Sequence, residues 1–364
     1  MRIKTIEVYE WKVPLRTAFK TALRVVDAVD DIVVVITTDD GLTGYGEAPP
    51  TAVITGETRA SIACAIREHI APKLIGRPVL EMEENQRLLH GAMIGNTSAK
   101  AAVDIALYDL WARKLDLPLY KALGGSKTTI DTDLTISVNP IGEMVEDSKE
   151  ALRRGYTTLK IKVGLDKKTD IERIRRIREA VGSEVKLRLD ANQGWTPKEA
   201  LDVIEELSKH SLDIELIEQP VHYSDLEGMV EVTKHSPIPI MADESVFSPK
   251  QAIEVITRKA ADIINIKLMK TGGIHKALQI LSIADIYGVD CMIGCMLEGK
   301  VSVSAAAHLA AAREEIRYVD LDGPGLCRID LTTGGPDFNE ALITMNETAG
   351  IGIREVRGLE DLSR

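Results

Sequence analysis

Charged residues recur at a regular step in this sequence, each at the end of a strand-like segment. The segments are TLKIKVG, VKLRLDANQ, IELIEQP, IPIMADES and IINIKLMK. The steps between Lys162, Asp190, Glu218, Asp243 and Lys267 are 28, 28, 25 and 24 residues. One strand, one helix and two short loops of a (β/α)₈ barrel need about that many residues. The charges are therefore expected at the carboxyl ends of successive parallel strands, where barrels keep their active sites.

Three of these residues are carboxylates on consecutive predicted strands. Taken singly, Asp190, Glu218 or Asp243 could be an ordinary loop charge, but three that converge repel one another unless a cation neutralises them. Oxygen ligands without histidine or thiolate favour a hard divalent ion such as Mg²⁺. The sequence therefore predicts one Mg²⁺ per active site on these carboxylates, with Asn192 and Glu244 supporting the ligands or Lys267 from nearby.

The lysines indicate proton transfer. An isolated Lys-x-Lys is typical of a solvated edge strand, but in a βα series one strand face meets helices and the other lines the barrel. Lys162 and Lys267 lie on the second and sixth predicted strands, which face each other across a ring of eight. A metal-bound carboxylate acidifies its own α-proton. One lysine can remove that proton and the other return it on the opposite face, provided that crowding by Lys160 and burial lower the lysine pKa.

Composition limits the possible partners. The chain has 364 residues, 45% of them hydrophobic, and a formal net charge of −11. That balance argues against a broad nucleic-acid or anionic membrane surface. No apolar run approaches the ~20 residues that span a bilayer, and the first residues lack the apolar stretch of a signal peptide. The four cysteines show no metal-finger spacing. We expect a cytoplasmic homo-oligomer with a small-molecule substrate and no nucleic-acid or membrane partner.

The pattern along the chain predicts an α/β fold, a modified (β/α)₈ TIM barrel with an α+β capping domain. Residues 1–127 combine three strands with helices, and Asp39-Asp40-Gly41 is expected to form a hairpin turn. Residues 128–331 alternate eight strands with seven helix-like segments, which indicates a parallel sheet. Residues 332–364 are expected to return to the capping domain.

The same segments carry a resemblance to a known family. KIKVG, LRLDANQGW, IELIEQPV, IMADESV and INIKLMKTGGI resemble the enolase superfamily, in the muconate-lactonising subgroup with two catalytic lysines, over essentially the whole chain. Other subgroups place a histidine at the end of the seventh strand, whereas this chain has Gly294-Cys295-Met296-Leu297-Glu298 there. The resemblance implies Lys162 and Lys267 as acid/base catalysts and Lys160 as the group that stabilises enediolate charge.

Within the subgroup the chain looks most like the dipeptide epimerases. Their mark is an Asp-x-Asp at the end of the eighth strand, here Asp320-Leu321-Asp322. Two carboxylates there can hold the α-ammonium of a dipeptide, although a turn-forming Asp pair before Gly-Pro is the plain alternative. The resemblance implies epimerisation of the C-terminal residue of a dipeptide, with L-Ala-D/L-Glu from cell-wall peptides as the expected substrate.

Further substrate contacts follow from the resemblance. Arg24, in the FKTALR loop, resembles the arginine that binds the distal carboxylate of Ala-Glu, although a surface arginine is the alternative. The PPTAVITGE loop is expected to help seal the site. The remaining expected contacts, some with plain packing roles as alternatives, are Thr135, Lys160, Cys295, Met296 and Glu298.

Rival activities remain at this point. N-acylamino acid racemisation, cycloisomerisation and o-succinylbenzoate synthesis belong to the same subgroup, but their substrates have no free ammonium for Asp320 and Asp322. A Schiff-base aldolase would also use a strand-end lysine but has no use for three converging carboxylates. A non-enzymatic protein on this fold would require the loss of a catalytic position, and all six are present.

Overall fold

The chain begins with an antiparallel sheet, and a parallel sheet of eight strands follows it in the sequence. The structure is a computed structural model that describes residues 1–20 and 25–362. The strands are β1 (Ile3–Lys20), β2 (Val25–Thr38), β3 (Thr43–Ala48), β4 (Thr129–Asp131), β5 (Leu134–Ile136), β6 (Thr158–Lys162), β7 (Lys186–Asp190), β8 (Ile214–Glu218), β9 (Ile240–Ala242), β10 (Ile263–Lys267), β11 (Asp290–Gly294), β12 (Ile316–Asp320), β13 (Thr332–Gly334), β14 (Asp337–Asn339), β15 (Leu342–Thr344), β16 (Ile353–Val356) and β17 (Leu359–Asp361).

Helices separate the barrel strands and cover the capping sheet. They are α1 (Arg59–Cys64), α2 (Ala71–Leu74), α3 (Met82–His90), α4 (Thr97–Lys114), α5 (Leu119–Ala122), α6 (Ile141–Arg153), α7 (Lys167–Val181), α8 (Pro197–Lys209), α9 (Leu226–His235), α10 (Pro249–Thr257), α11 (Leu268–Thr271), α12 (Ile274–Tyr287), α13 (Lys300–Ala312) and α14 (Gly323–Leu326), with a π-helical turn over Ala65–Ile70. In the part of the chain that the structure describes, none of these helices is long and apolar enough to cross a membrane.

The capping sheet has the strand order β17-β1-β2-β3. The predicted Asp39-Asp40-Gly41 turn joins β2 to β3, and Gly41 has φ +86°, which glycine adopts without strain. Helix α4 lies so close to β3 that a Cβ on Gly46 would collide with the main chain of Ala102. A glycine at that position therefore allows the helix and the sheet to share one core.

The second sheet is the predicted barrel. Its order is β12-β11-β10-β9-β8-β7-β6-β5, and neighbouring strands are parallel. The two edge strands meet where the Leu321 N–H donates to Thr132 Oγ1 at 2.8 Å and the Asp133 N–H donates to Val319 O at 3.3 Å. The eight strands and the seven helical segments between them confirm the predicted barrel, with an antiparallel capping sheet in front of it.

Local sequence explains the individual elements. Strand β6 alternates Leu159 and Ile161, which are buried outside the barrel ring against the helices, with lysines that face its interior. Helix α8 begins with a capping box, in which the Glu199 N–H donates to Thr196 Oγ1 and the Glu199 carboxylate accepts from the Thr196 N–H at 2.9 Å. Such signals fix where each helix starts after its strand.

The last segment returns toward the start of the chain. Strand β15 pairs with β4, and β17 pairs with β1 through Tyr9 and Asp361. The capping sheet is therefore completed by the end of the chain. The exact boundaries at residues 127/128 and 331/332 stay predictions.

Candidate active site

Strand register brings the charged residues together at one end of the barrel. Lys162 on β6 is the Cα partner of Asp190 on β7, and Asp190 is the partner of Glu218 on β8. Across the barrel, Lys267 on β10 is aligned with Gly294, which is aligned with Asp320 on β12. Three strands lie between β6 and β10 on each side of the ring of eight, so the two lysines project from opposite walls.

Lys160 lies at the centre of an ion-pair network. Its Nζ is 2.6 Å from Glu218 Oε2, 2.8 Å from Asp320 Oδ2 and 3.1 Å from Asp190 Oδ2. The side chain is only 1% exposed. Burial alone would lower the pKa of Lys160, but the surrounding carboxylates, Asp320 foremost, raise it well above its ordinary value. Lys160 is therefore a fixed positive charge.

Each of the two facing lysines has its own carboxylate. Lys162 Nζ lies 2.6 Å from Asp190 Oδ2, and Lys267 Nζ lies 2.7 Å from Asp243 Oδ2. Burial opposes the charge on Lys267, but attraction by Asp243 outweighs it and raises the pKa of Lys267. The expectation that crowding by cations lowers this pKa is wrong for the arrangement seen here, because acidic neighbours outweigh Lys160. A divalent cation among the carboxylates would offset their attraction.

The three carboxylates fit a hard divalent cation by chemistry and burial. Asp190 and Glu218 are 0% exposed and Asp243 is 2% exposed. Burial disfavours the charge on Asp190, but Lys162 and Lys160 lower its pKa to about 2; burial and repulsion by Asp190 raise the pKa of Glu218 to about 6. Among residues 1–20 and 25–362, no three His, Cys, Asp or Glu side chains already stand in a metal-binding arrangement. Lysine ammonium groups lie between the carboxylates instead, as the contacts above show.

The Asp-x-Asp pair lines the same cavity. The Thr135 N–H, on β5, donates to Asp322 Oδ2 at 2.8 Å, and Lys160 holds Asp320. Burial and the neighbouring Asp320 raise the pKa of Asp322 to about 6. Two acidic groups held apart by separate donors can accept a second cation, such as an ammonium group, between them.

Other predicted contacts divide into those that reach the cavity and those that do not. Cys295 and Met296 line it. Burial, with the nearby acidic groups, raises the pKa of the Cys295 thiol well above its ordinary value, which leaves an uncharged wall residue. Glu298 is not among the residues that line the cavity, and its carboxylate accepts from the Met296 N–H and from Ser302 Oγ, each at 2.6 Å. Arg24 lies outside the described residues.

The two supporting residues are close to the ligands. The main-chain N–H of Asn192 donates to Asp190 Oδ1 at 2.9 Å. Glu244 lines the cavity and is 3% exposed, but neither of its carboxylate oxygens has a hydrogen-bond partner among the described residues. Burial and repulsion by Asp243 raise the pKa of Glu244 to about 8. A hydrogen bond from Lys267 to Glu244 is therefore not part of this arrangement.

Two further residues of the site, Asn265 and Lys270, were not predicted from the sequence. Asn265 Nδ2 donates to Glu218 Oε1 at 2.9 Å, and buried Lys270 places Nζ 2.6 Å from Asp243 Oδ1. Asn265 has the same strand parity as Lys267, which could have placed it inside the barrel. The position of Lys270 depends on the short helix α11, which no periodic pattern signals.

The capping domain forms the rest of the cavity. Phe19 lies near the end of β1, and Thr51, Val53 and Ile54 belong to the PPTAVITGE segment that was expected to seal the site; all four line the cavity. The barrel thus supplies the charged groups, and the capping domain supplies mostly apolar wall above them.

Comparison with known proteins agrees with this architecture. Residues 143–356 match the family described as enolase C-terminal domain-like, and residues 3–124 match the mandelate racemase / muconate lactonizing enzyme N-terminal domain. The L-Ala-D/L-Glu epimerase of Clostridium acetobutylicum is 52% identical over 98% of this chain and 99% of its own.

Solved structures show the same similarity. The structure of a substrate-liganded complex of the L-Ala-D/L-Glu epimerase from Bacillus subtilis has a TM-score of 0.97 and 49% identity, covering 98% of this chain and 99% of that chain. The dipeptide epimerase from Enterococcus faecalis, complexed with Mg and the dipeptide L-Leu-L-Tyr, has a TM-score of 0.94 and 42% identity, covering 98% and 100%. The chain therefore belongs to the mandelate racemase and muconate lactonizing enzyme family of the enolase superfamily.

Proposed function

We propose that this protein is a Mg²⁺-dependent dipeptide epimerase that inverts the α-carbon of the C-terminal residue. The observation that carries the proposal is the pair Lys162 and Lys267 on opposite barrel walls, with buried carboxylates between them. Two bases on opposite faces of one carbon are the requirement for inverting it by 1,1-proton transfer. The similarity to epimerases of this family supports the same reaction.

Asp190, Glu218 and Asp243 would hold one Mg²⁺. When bound, the ion supplies Lewis-acid stabilisation of negative charge on the substrate carboxylate. Asn265 fixes one oxygen of Glu218 and Lys270 holds one oxygen of Asp243, so these carboxylates are oriented before any ligand arrives.

The lysines would move the proton. One of Lys162 and Lys267 accepts the α-proton while the other, protonated, delivers a proton to the opposite face, and the roles exchange for the reverse reaction. Negative charge that develops on the substrate carboxylate meets the fixed positive charge of Lys160. The capping-domain segment over the cavity excludes water, which strengthens these interactions.

Asp320 and Asp322 would bind the α-ammonium group of the dipeptide. Asp322 is already oriented by the Thr135 N–H, and Asp320 by Lys160. An N-acylated amino acid or a muconate has no α-ammonium group for this pair, which favours dipeptides over the other reactions of the subgroup.

The preferred dipeptide is proposed to be L-Ala-D/L-Glu, in agreement with the relatives that share about half of this sequence. Arg24 would bind the distal carboxylate of the glutamate residue. The proposal also includes a cytoplasmic location, a homo-oligomeric state and a role in the use of cell-wall peptides.

The test is α-deuteration in D₂O. The protein is incubated with Mg²⁺ and L-Ala-L-Glu, and both α-protons are followed by NMR. We expect the glutamate α-proton signal to disappear while L-Ala-D-Glu forms, and the alanine α-proton to persist as the internal control. Exchange confined to other dipeptides would overturn the assignment of glutamate and of Arg24. Exchange of N-acylamino acids, with every free dipeptide unchanged, would overturn the proposal in favour of an acylamino acid racemase.

A further inference from the structure

Three carboxyl groups are buried together where the capping sheet meets the loop after the seventh barrel strand. Asp31 lies on β2, Glu47 on β3 and Glu298 at the end of the loop, and their exposed fractions are 1%, 0% and 1%. We call these residues the junction carboxyls. None of them lines the catalytic cavity, so the reaction described above leaves their burial unexplained.

Glu47 binds the start of helix α13 from the other domain. The Gly299 N–H donates to its Oε1 at 2.7 Å, and the Ser302 N–H donates to its Oε2 at 2.9 Å. These N–H groups belong to the first turn of the helix, which has no carbonyl partners for them within the helix. A Cβ on Gly299 would collide with Trp11 and Glu47, so the loop and the capping sheet are in direct contact.

Glu298 fixes the loop from its own side. Its two oxygens accept from the Met296 N–H and from Ser302 Oγ, each at 2.6 Å. The three residues before it, 295–297, form one wall of the catalytic cavity. The Cys295 N–H also donates to Asp320 O at 3.1 Å. A shift of this loop would therefore move the wall and also the contact with Asp320, the first residue of the Asp-x-Asp pair.

Asp31 lies on the same face of β2 as Val33, the Cα partner of Glu47 on β3, so its carboxyl group is buried beside that of Glu47. Burial, together with repulsion by Glu47, raises the pKa of Asp31 well above its ordinary value. The two oxygens of Glu47 accept from main-chain N–H groups, so Glu47 makes its contacts with α13 without Asp31. Glu47 thereby links β3 to the barrel through Gly299 and Ser302.

We infer that Glu47 is a positioning residue for substrate binding. From the capping domain it holds the loop 295–299 in place, and with that loop the cavity wall at Cys295 and Met296. The inference rests on the proposed function for the identity of the substrate, whereas the contacts of Glu47 do not depend on that function. It assigns the capping sheet a part in substrate binding in addition to the segments that cover the cavity.

The experiment compares Glu47→Gln, Asp31→Asn and the control Asp109→Asn. Glutamine at position 47 can accept only one of the two main-chain hydrogen bonds. Asparagine at position 31 keeps the size of the side chain and removes any negative charge beside Glu47. Asp109 is an equally buried carboxylate on α4, which accepts from the Tyr45 N–H at 3.0 Å and from the Ile351 N–H at 2.8 Å, away from the loop.

Two quantities are measured, steady-state kinetics on L-Ala-L-Glu and amide hydrogen exchange of residues 295–302. For Glu47→Gln we expect KM to rise about tenfold, kcat to change by less than about threefold, and exchange in this segment to accelerate about tenfold. Asp31→Asn should stay within about twofold of the wild type in both. Asp109→Asn should leave the segment protected even if it lowers the melting temperature.

The kinetic and the exchange results can each contradict the positioning role of Glu47. Unchanged KM and protection in Glu47→Gln, or changes equal to those of Asp109→Asn, would overturn it. If Glu47→Gln does not fold, Ser302→Ala removes the Oγ donor to Glu298 and should raise KM about threefold with faster local exchange; no change would overturn the inference. A wild type inactive on every dipeptide would instead overturn the proposed function, and the exchange data would still decide the geometry.

Discussion

The mouth of the barrel and its junction with the capping domain both bury ionisable side chains, but they satisfy them in different ways. At the mouth, ions of opposite sign pair side chain to side chain, as Lys267 does with Asp243. At the junction, Glu47 pairs with the main-chain N–H groups of Gly299 and Ser302 instead. Side-chain pairs can exchange partners when a ligand enters, whereas main-chain partners are released only if a helix opens. Substitutions at the mouth should therefore change rates, and those at the junction should change positioning or stability.

The largest effect is expected from Lys162→Met or Lys267→Met at the mouth of the barrel. Removing one acid/base group should lower kcat for epimerisation by about 10³-fold or more, with the melting temperature within a few degrees of the wild type. Asp190 retains Lys160 at 3.1 Å in the first variant, so it is not left without a cation. Rates of L-Ala-L-Glu epimerisation and thermal melts provide the measurement. Turnover within about tenfold of the wild type in either variant would exclude the two-base mechanism.

The metal site should give the next largest effect. Glu218→Gln removes one charge from the three carboxylates and should lower kcat/KM by about 10²- to 10³-fold. Mg²⁺ should raise the melting temperature of the wild type, because a ligand that binds only the folded state stabilises it. It should not raise that of Glu218→Gln. Asp109→Asn, whose carboxylate lies within the capping domain and away from the three carboxylates, is the control and should keep the Mg²⁺ response. A Mg²⁺ response in Glu218→Gln equal to that of the wild type would place the metal elsewhere.

The sequence predicted the two regions unequally, for a physical reason. A βα unit has a nearly fixed length, so a charge repeated at that step marks one end of the barrel, and the structure places Lys162, Asp190 and Glu218 side by side there. The contact between Glu47 and Gly299 joins residues 252 positions apart in two different domains. No local period predicts it, because it depends on how the domains pack.

Glu298 also shows that contacts in the loops could not be predicted from the sequence. The family resemblance placed it, after the seventh strand, among the residues expected to contact the substrate. The loop turns its carboxylate toward Ser302 instead, since a carboxylate buried beside a helix start gains hydrogen bonds from it. The fold and the strand-end charges could thus be predicted, whereas side-chain direction in the loops could not. The roles of the individual residues stay predictions for the experiments described here.

The Asp-x-Asp pair should give an intermediate effect that depends on the substrate. Asp322→Asn removes one negative charge from the proposed ammonium site and should raise KM for L-Ala-L-Glu about 30-fold, since losing one partner of a buried charge pair costs about 2 kcal/mol or more. The asparagine oxygen can still accept from the Thr135 N–H. Any residual turnover of N-acetyl-L-Ala-L-Glu should be the same in variant and wild type. Equal losses for both substrates would assign Asp322 to the structure of the loop rather than to the ammonium.

The smallest effect concerns stability alone and lies at the junction. His308, on α13, is fully buried, and its Nδ1 accepts from the Tyr120 N–H of the capping domain at 3.0 Å. Burial lowers the pKa of His308 to about 3, and burial likewise lowers that of His90 to about 3. Below the ordinary pKa of about 6.5 the unfolded chain binds a proton that the folded chain does not, so stability is lost as the pH falls toward 3.

The variant His308→Asn isolates this contribution, because the asparagine oxygen can accept from the Tyr120 N–H and does not titrate. Between about pH 6 and pH 4 the wild-type free energy of unfolding should fall more steeply than that of the variant, by about 1.4 kcal/mol per pH unit. Denaturant titrations at each pH measure the difference, and the loss due to His90 and the carboxylates is common to both proteins. Equal slopes would mean that His308 is protonated within the folded junction. A change in kcat larger than about twofold would instead couple this part of α13 to the barrel mouth and break the division between the two regions.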